Sequence, residues 1–319
     1  MSTIRYSIVI PIFNEEETLP ALFDALCQTI AKLDGQAEVI FVNDGSRDKS
    51  LDILRNKHVL FPNFKIINLS RNFGHQVAVT AGIDFAEGDA VVIMDADLQD
   101  PPEVILELIK KWRDGYEVVY AIRAKRKGES FFKKITASLF YRLLRNISKT
   151  DTPVDVGDFR LVDRKAIKAF RRFREHNRYV RGMFSWLGFK QTGVVYQRNE
   201  RYAGETKYPL TKMIKFAWDG VIGFSDVPLR IALKLGFSLA GVSGLVGAFA
   251  IFEKITGWWT DIVHGWTSII VLITFLGGIQ LIVLGIVGLY ISRIYDEVRD
   301  RPIYLISDTF GLEAPYKES

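Results

Sequence analysis

The chain has 319 residues, a formal net charge of +5 and a hydrophobic fraction of 48%. This length leaves room for a large catalytic domain and a further part. The single cysteine, Cys27, excludes an intrachain disulfide, and we expect it to be a buried core residue. An ordinary solvated basic surface accounts for the small positive charge, and we predict no nucleic-acid partner.

Short apolar runs alternate with helical segments over the first hundred residues. The runs are 7–13, 38–42, 64–68 and 90–94. We expect the first helix to open in the acidic residues after the first run and to end near Lys32. Strand and helix in alternation predict an α/β domain with a mostly parallel sheet.

Two carboxylates one residue apart, Asp95 and Asp97, follow the fourth run, with Gln99 after them. Ligands of open α/β sheets bind at the carboxyl ends of strands. A carboxylate pair there can hold Mg²⁺ or Mn²⁺, and the cation can clamp a diphosphate. The alternative is a helix cap, since Asp97 or Asp100 precedes two prolines. A cap explains one acid and leaves the other unexplained, which favours the metal site.

A second polar strand end, Asn43 and Asp44, is expected to converge on the same crevice. Asp44 is a candidate to bind the base or ribose of a nucleotide, and an Asx turn over 43–46 is the compatible alternative. The sequence has no G-x-G-x-x-G after the first strand and no Walker A motif, which disfavours dinucleotide and P-loop folds. His75 has no metal-like partner spacing, and we interpret it as a structural or loop histidine.

Two long apolar stretches, 235–252 and 266–291, dominate the last third of the chain. At about 1.5 Å per residue the second is roughly 39 Å long as a helix, enough to span a bilayer with tilt. Small residues in both stretches and three tryptophans near their connection favour two transmembrane helices. A pair of buried core helices is the alternative, chiefly for the shorter stretch.

Charge predicts the orientation of these helices. Lys and Arg are concentrated before the first stretch and after the second, so the positive-inside rule places both ends in the cytoplasm, and we expect no signal peptide. We therefore divide the chain into a cytoplasmic domain 1–228, a transmembrane hairpin 229–292 and a cytoplasmic tail 293–319. The glycines of the hairpin permit pairing between subunits, so a homo-oligomer stays open.

Four motifs stand in a fixed order before the apolar stretches. They are Pro-Ile-Phe-Asn-Glu at 11–15, Asn-Asp-Gly-Ser at 43–46, Arg-Asn-Phe-Gly at 71–74 and Met-Asp-Ala-Asp-Leu-Gln at 94–99. Together they resemble the motifs of family 2 glycosyltransferases with the GT-A fold. With the apolar stretches added, essentially the whole chain resembles the polyprenyl-phosphate glycosyltransferases, which include dolichyl-phosphate mannose synthase and bactoprenol glucosyltransferases. The fold implied is a Rossmann-like GT-A domain followed by two transmembrane helices.

This resemblance implies a role for each motif. The residues implied to line the nucleotide pocket are Pro11, Asn14, Glu15, Asp44 and Asp95. Those implied to surround a Mg²⁺ or Mn²⁺ ion and the diphosphate are Asp95, Asp97 and Gln99.

An acceptor phosphate needs cations, and four residues are implied to supply them. Arg123 and Arg126 end the next strand. Arg201 and Lys207 lie in a segment that resembles the family's mobile acceptor loop, for which a plain solvated loop is the alternative.

Asp158 completes the implied catalytic set of Asp97, Asp158 and Arg123. It lies in a stretch, 155–161, that resembles the family's acceptor-side motif and would bring a carboxylate near the reaction centre. The alternative is an ion pair with Arg160 or Arg164.

Residues 131–147 place apolar side chains at helical spacing among lysines and arginines. This pattern predicts an amphipathic helix, at about 130–148, on an anionic membrane surface. Docking of that helix on the protein's own sheet is the alternative. A second interfacial helix is expected at 211–226.

The expected reaction is the inverting, metal-dependent transfer of one hexose from a nucleotide sugar to a polyisoprenyl phosphate at the cytoplasmic face of the cell membrane. The second pKa of a phosphate monoester is about 6, so the acceptor is already anionic and needs no strong base. UDP-glucose is the favoured donor. GDP-mannose, another sugar donor and a non-catalytic membrane scaffold stay open, whereas the lack of a Gln-x-x-Arg-Trp motif disfavours a polysaccharide synthase.

Overall fold

The computed structural model describes residues 4–124, 156–199, 227–256 and 266–312. The chain divides into two compact units, one formed by Met1–Tyr208 with Arg301–Ser319 and the other by Pro209–Asp300. The predicted interfacial helices at 130–148 and 211–226 lie outside the described residues.

The elements of the first unit alternate as the sequence predicts. Its strands are β1 (Tyr6–Ile12), β2 (Ala37–Asn43), β3 (Phe64–Leu69), β4 (Ala90–Ile93), β5 (Val118–Arg123), β6 (Val156–Asp163), β7 (Gln191–Tyr196) and β8 (Ile306–Phe310). Its helices are α1 (Leu19–Ile30), α2 (Ser50–Leu60), α3 (His75–Phe85), α4 (Val104–Arg113), α5 (Arg164–Phe170) and α6 (Val180–Trp186). The second unit contains α7 (Val227–Thr256) and α8 (Trp266–Val298).

All eight strands form one sheet in the order β7-β5-β6-β4-β1-β2-β3-β8. The pairs β4-β1, β1-β2, β2-β3 and β5-β7 are parallel. Strands β6 and β8 run against their neighbours. The predicted α/β architecture with a mostly parallel sheet is therefore confirmed.

Both faces of the sheet are buried, because helices cover both. Along β1 the side chains alternate between two cores: Tyr6, Ile8 and Ile10 belong to one, and Val9 belongs to the other. This alternation is the two-residue period of a strand. Cys27 is only partly buried and packs against the first core, so the prediction that it is buried holds in part.

The first helix begins later than its acidic residues suggested. Helix α1 starts at Leu19, with Pro20 in its first turn and no acidic residue there. Glu15 and Glu16 lie instead in the connection after β1. The Glu15 N–H donates to Ser50 at the start of α2, and the Glu16 N–H donates to Asp48 in the connection after β2. The acidic residues therefore join two loops rather than favouring a helix dipole.

Strand β8 was not expected from the sequence. It lies in the segment assigned to a C-terminal tail, and it pairs antiparallel with β3. A hydrogen bond from Asn68 Nδ2 to Asp308 Oδ2, 2.7 Å long, fixes this pairing. Residues Ile306–Phe310 are thus part of the eight-stranded sheet, while the predicted domain boundaries stay predictions.

Helix α8 carries the clearest apolar surface. Its portion Phe275–Val298 has a mean hydropathy of 2.1 and, among the described residues, is the one helix that is long and apolar enough to cross a membrane. The apolar part found in α7, Ala232–Leu245, is shorter. One crossing helix is therefore supported by length and composition, and the second span stays a prediction.

Candidate active site

The site residues lie in the connections that follow β1, β2, β3 and β4, at the carboxyl edge of the parallel strands. Pro11 is the last residue but one of the fully buried strand β1 and lies opposite Val42 of β2. Asp95 and Asp97 follow β4, which lies beside β1. The topology brings these predicted residues to one edge, where open α/β sheets bind ligands.

Asp44 is buried and fully used by the backbone. Its Oδ1 accepts a hydrogen bond from the Phe73 N–H at 2.7 Å, and its Oδ2 accepts one from the Gly74 N–H at 2.9 Å. Burial raises the pKa of Asp44, and these two N–H groups oppose the rise. The predicted Asx turn is present in outline, since Asn43 Oδ1 accepts from the Ser46 N–H at 3.4 Å. The role of Asp44 in binding a nucleotide stays a prediction.

The connections after β1 and β2 brace each other. Asn14 adopts a left-handed backbone with φ of 55°. Its N–H donates to Ser46 Oγ at 3.0 Å, and its Oδ1 accepts from the Arg47 N–H at 2.8 Å. The Glu15 carboxylate accepts from Thr18 Oγ1 at 2.7 Å. A preformed rim of this kind suits a pocket for a rigid base or ribose, because little ordering is then left for binding.

Asp95 is a carboxylate whose hydrogen bonding is incomplete. Its Oδ1 is buried and has no hydrogen-bond partner among the described residues. The Nε2 atom of His75 lies 3.5 Å from this same oxygen, a distance at which a protonated imidazole forms an ion pair. Burial raises the pKa of Asp95 to about 6, helped by Asp158, Asp100 and Asp97 and opposed by His75. A buried carboxylate oxygen without a donor is a position at which a cation would be stabilised.

The turn after β4 presents the remaining predicted metal residues. Asp97 Oδ1 accepts from the Gln99 N–H at 3.1 Å, and Leu98 between them has a left-handed φ of 55°. Positive φ at a leucine is rare and marks a turn held by its surroundings. The Gln99 carbonyl accepts from the Asn199 N–H at 2.9 Å, which ties this turn to the chain beyond β7.

The helix-cap alternative for these acids is wrong. Helix α4 begins at Val104 with Glu103 in the N-cap position. Asp97 and Asp100 therefore lie before the helix and do not cap it. Asp100 is buried and instead accepts a hydrogen bond from the Tyr196 hydroxyl, while Arg198 Nε lies 3.4 Å from the same oxygen.

The carboxylates after β4 are ligands of the kind that Mg²⁺ and Mn²⁺ bind. No group of three or more His, Cys, Asp or Glu side chains that could hold a metal occurs in the described part of the chain. Mg²⁺ and Mn²⁺ do not require such a group, because one or two carboxylates with substrate phosphates and waters complete their coordination. The unpartnered Asp95 oxygen, with Asp97 two residues away, is a donor set of that kind.

Asp158 is held by three side chains. Arg181 Nε lies 2.7 Å from Oδ1 and Arg181 Nη2 lies 3.2 Å from Oδ2. Gln76 Nε2 donates to Oδ2 at 3.3 Å, and His75 Nε2 lies 3.3 Å from the same oxygen. Although burial acts in the opposite direction, the His75 and Arg181 contacts hold the pKa of Asp158 well below its ordinary value. Asp158 is therefore ionised at neutral pH.

Asp158 forms an ion pair, as the alternative predicted, but its partner is neither Arg160 nor Arg164. Arg160 is buried, and its Nε donates to the Asp158 backbone carbonyl, not to the carboxylate. Arg164 lies 3.7 Å from Asp89. The partner is Arg181 of α6, a helix that contains none of the motifs on which the family resemblance rests.

Arg123 lies at the end of β5, directly over Gly157. A Cβ at Gly157 would be 2.8 Å from Arg123 Nη2. Arg123 Nε is buried with no hydrogen-bond partner among the described residues. Its guanidinium therefore reaches the start of β6 next to Asp158, with one donor left over.

The other predicted acceptor-side cations, Arg126, Arg201 and Lys207, lie outside the described residues. Sequence reasoning missed Arg181 and Gln76, and it interpreted His75 as structural. His75 instead lies between Asp95 and Asp158. Its position directly after the Arg-Asn-Phe-Gly motif was the only available signal for it. None was available for Arg181.

An α/β sheet with this carboxylate site at its carboxyl edge is an arrangement typical of enzymes that act on nucleotide-linked substrates. Residues 7–171 match the family described as Glycosyl transferase family 2. The chain belongs to this family and is a glycosyltransferase.

Relatives match the chain over nearly its full length. An uncharacterized glycosyltransferase of Bacillus subtilis (strain 168), YkcC, is 51% identical over 97% of this chain and 95% of its own. An uncharacterized glycosyltransferase of Synechocystis is 46% identical over 98% of this chain and 97% of its own. A prophage-derived bactoprenol glucosyl transferase of Shigella flexneri is 39% identical over 95% of this chain and 97% of its own.

Solved structures are more distant. Glucosyl-3-phosphoglycerate synthase of Mycobacterium tuberculosis, in complex with Mn²⁺, UDP-glucose and phosphoglyceric acid, is 18% identical over 69% of this chain and 78% of its own, with a TM-score of 0.43. TarS of S. aureus in complex with UDP-GlcNAc is 16% identical over 70% of this chain and 68% of its own, with a TM-score of 0.42. Neither likeness is close enough to decide anything about this chain.

Proposed function

We propose that this chain transfers glucose from UDP-glucose to a polyisoprenyl phosphate, with inversion, at the cytoplasmic face of the cell membrane. The observation that carries the proposal is the 39% identity to a bactoprenol glucosyl transferase, which extends over 95% of this chain. It therefore includes the apolar helices as well as the catalytic sheet. A soluble acceptor would give no reason for those helices.

The donor pocket is proposed at the braced rim. Pro11, Asn14, Glu15 and Asp44 would surround the base and ribose, with Asp95 at the phosphate end. The backbone bonds of Asp44 hold the loop at Phe73 and Gly74 in place, so this residue shapes the pocket wall whether or not it also touches the nucleotide. Preformed walls reduce the ordering cost of binding.

Asp95, Asp97 and Gln99 are proposed to hold a Mg²⁺ or Mn²⁺ ion. When bound, the ion supplies positive charge where negative charge develops on the leaving nucleoside diphosphate. The unpartnered Oδ1 of Asp95 supports this assignment. The turn that carries Asp97 and Gln99 is fixed by their mutual hydrogen bond and by Asn199, so these groups are held in place before substrate arrives.

The acceptor needs to be held rather than activated. A phosphate monoester is largely dianionic at neutral pH, so it attacks the anomeric carbon without a strong general base. Arg123, with a buried Nε left unpartnered, would bind this phosphate together with Arg126, Arg201 and Lys207. One in-line displacement then inverts the anomeric centre. Asp158 is proposed to position the acceptor or the sugar at the same edge.

The membrane part of the proposal keeps the domain 1–228 and the tail 293–319 on the cytoplasmic side of a two-helix hairpin, 229–292. Large apolar side chains of α8 such as Leu281, Ile282 and Leu284 are more than half exposed. An apolar surface of this size is costly in water and suits lipid. The basic segments 130–148 and 211–226 would lie on the anionic inner leaflet and bring the crevice to the lipid phosphate.

The test is a transfer assay with the full chain purified in detergent. Undecaprenyl phosphate and Mg²⁺ or Mn²⁺ are incubated with radiolabelled UDP-glucose, UDP-GlcNAc or GDP-mannose, and the lipid phase is counted. We expect label from UDP-glucose, lost with EDTA and in Asp97→Ala. Label from another donor would correct the sugar, and folded protein that labels no lipid from any of the three would contradict the proposal.

A further inference from the structure

Arg181 lies outside every motif that points to this site. It is the second residue of α6, and it reaches Asp158 near the start of β6, 23 residues earlier in the chain. The contact is made through two nitrogens, at 2.7 and 3.2 Å. Two-point contact between guanidinium and carboxylate fixes the plane of the carboxylate as well as its distance.

The same carboxylate is braced from α3. Gln76 donates to Asp158 through Nε2, and its Oε1 accepts from the Val180 N–H at 2.9 Å. One amide therefore joins the first turn of α3, the start of α6 and Asp158. Beyond it, His75 Nε2 lies within 3.5 Å of both Asp158 and Asp95. Arg181 thus ends a chain of side chains that reaches the candidate metal carboxylate.

We propose that Arg181 is a positioning residue of the transfer reaction, which fixes the Asp158 carboxylate in one orientation beside Asp95. This inference rests on the proposed function. Arg181 itself need not touch either substrate. Without it the Asp158 carboxylate would be a buried charge that lacks its two-point partner, and the carboxylate would be free to turn toward His75 and Asp95.

A second arginine in the same segment provides a matched control. Arg174 Nη1 lies 2.8 Å from Asp84 Oδ2, and Asp84 is almost fully buried, as Asp158 is. The Tyr304 hydroxyl also donates to Asp84, which ties this pair to the chain that leads into β8. Arg174→Met therefore removes an arginine partner of a buried aspartate without approaching Asp95. A loss of activity caused only by loosening this segment would occur in both variants.

The experiment compares Arg181→Met, Arg181→Lys, Asp158→Asn, the Asp158→Asn/Arg181→Met double variant and Arg174→Met in the glucose transfer assay, with thermal unfolding measured alongside. We expect Arg181→Met to lower kcat at least about tenfold while KM for UDP-glucose changes by less than about twofold. Arg181→Lys keeps the charge but not the two-point contact, so its kcat should fall between those of Arg181→Met and the unchanged protein. Arg174→Met should keep kcat within about twofold even if it unfolds at a lower temperature.

The double variant is decisive. If Arg181 acts through Asp158, the double variant should have the kcat of Asp158→Asn within about twofold, because the second change removes nothing further. Multiplying losses, or an Arg181→Met kcat like that of Arg174→Met, would overturn the inference. Should Arg181→Met fail to fold, Arg181→Lys combined with Asp158→Asn gives the same comparison. Absence of transfer in the unchanged protein would instead refute the proposed function, which keeps the two failures apart.

Discussion

Asp44 follows β2 and Asp95 follows β4, two strands of one sheet that are separated only by β1. The hydrogen bonding of the two carboxylates nevertheless differs. Both oxygens of Asp44 accept backbone N–H groups, from Phe73 and Gly74. Asp95 has an oxygen with no donor and has other carboxylates around it. The first acid builds a loop, and the second has His75, 3.5 Å from its Oδ1, to offset part of a charge that a metal ion or a proton would balance further.

This difference separates architecture from chemistry at the site. A carboxylate satisfied by backbone donors is already at its most favourable in the free protein, so it gains little from a ligand. A buried carboxylate without donors is unfavourable until a cation arrives. Stability and activity should therefore respond oppositely to substitutions on the two sides.

The largest effect is expected from Asp95→Asn in the transfer assay. Replacing the carboxylate removes half of the proposed metal-binding pair, so we expect kcat/KM to fall at least about 100-fold. Asp89→Asn is the control, because Asp89 directly precedes β4 and is exposed. Equal activity of Asp95→Asn and Asp89→Asn would place the metal site elsewhere.

Unfolding in the presence of EDTA should then show the opposite order. Asp44→Asn turns an acceptor oxygen into an NH₂ group facing a backbone N–H, and should lower the free energy of unfolding by about 1–3 kcal/mol. Asp95→Asn should raise it at pH 8, because it removes a buried charge. The folded pKa of Asp95 is about 6 against an ordinary 3.8, so stability falls as the pH rises from 3.8 to about 6 and the full cost is present above that pH. The gain of Asp95→Asn should accordingly shrink towards pH 4, and a loss at pH 8 would contradict this account of Asp95.

Two glycines sharpen the contrast further. Gly157→Ala would place a Cβ 2.8 Å from Arg123 Nη2, the far end of a flexible side chain. We expect the guanidinium to move, with kcat/KM falling about tenfold and the melting temperature nearly unchanged. Full activity of this variant would show that Arg123 does not need its position over Gly157.

Gly45→Ala is the counterpart on the donor side. Gly45 has φ of +66°, and a Cβ there would be 2.6 Å from the backbone of Arg71 and Asn72. Backbone atoms cannot move aside as the end of a flexible side chain can, so we expect the free energy of unfolding to fall by about 1–3 kcal/mol. Thermal unfolding of the two alanine variants side by side tests this distinction.

The smallest effect is expected at the edge of the sheet. Asn68 accepts from Asn43 Nδ2 at 2.8 Å and donates to Asp308 of β8, so Asn68→Ala removes both bonds at a cost of about 1–2 kcal/mol. Asn56→Ala, at an exposed position of α2, is the control and should unfold at nearly the original temperature. If both variants unfold alike, the asparagine contacts do not hold β8.

The sequence by itself determined the α/β class, the mostly parallel sheet, the family and the placing of Asn14, Asp44, Asp95 and Asp97 at one edge. The class, the sheet and the shared edge follow from local patterns: a two-residue or helical period, and the rule that parallel strands share a carboxyl edge. The family follows from the resemblance of the four ordered motifs between residues 11 and 99. Local pattern failed at boundaries, as at α1, where the acidic residues join two loops instead of opening the helix.

Only the tertiary structure decided which polar and charged side chains contact each other. Arg181 and Asp158 are 23 residues apart, Gln76 and Asp158 are 82 apart, and Asn68 and Asp308 are 240 apart. No short-range period encodes such pairs, because they depend on how strands are ordered in the sheet and on where each helix returns to it. The same packing satisfies Asp44 with backbone donors and withholds them from Asp95. The partner of a buried charge is a property of the fold, and it separates the acid that shapes a loop from the acid that is proposed to bind a metal ion.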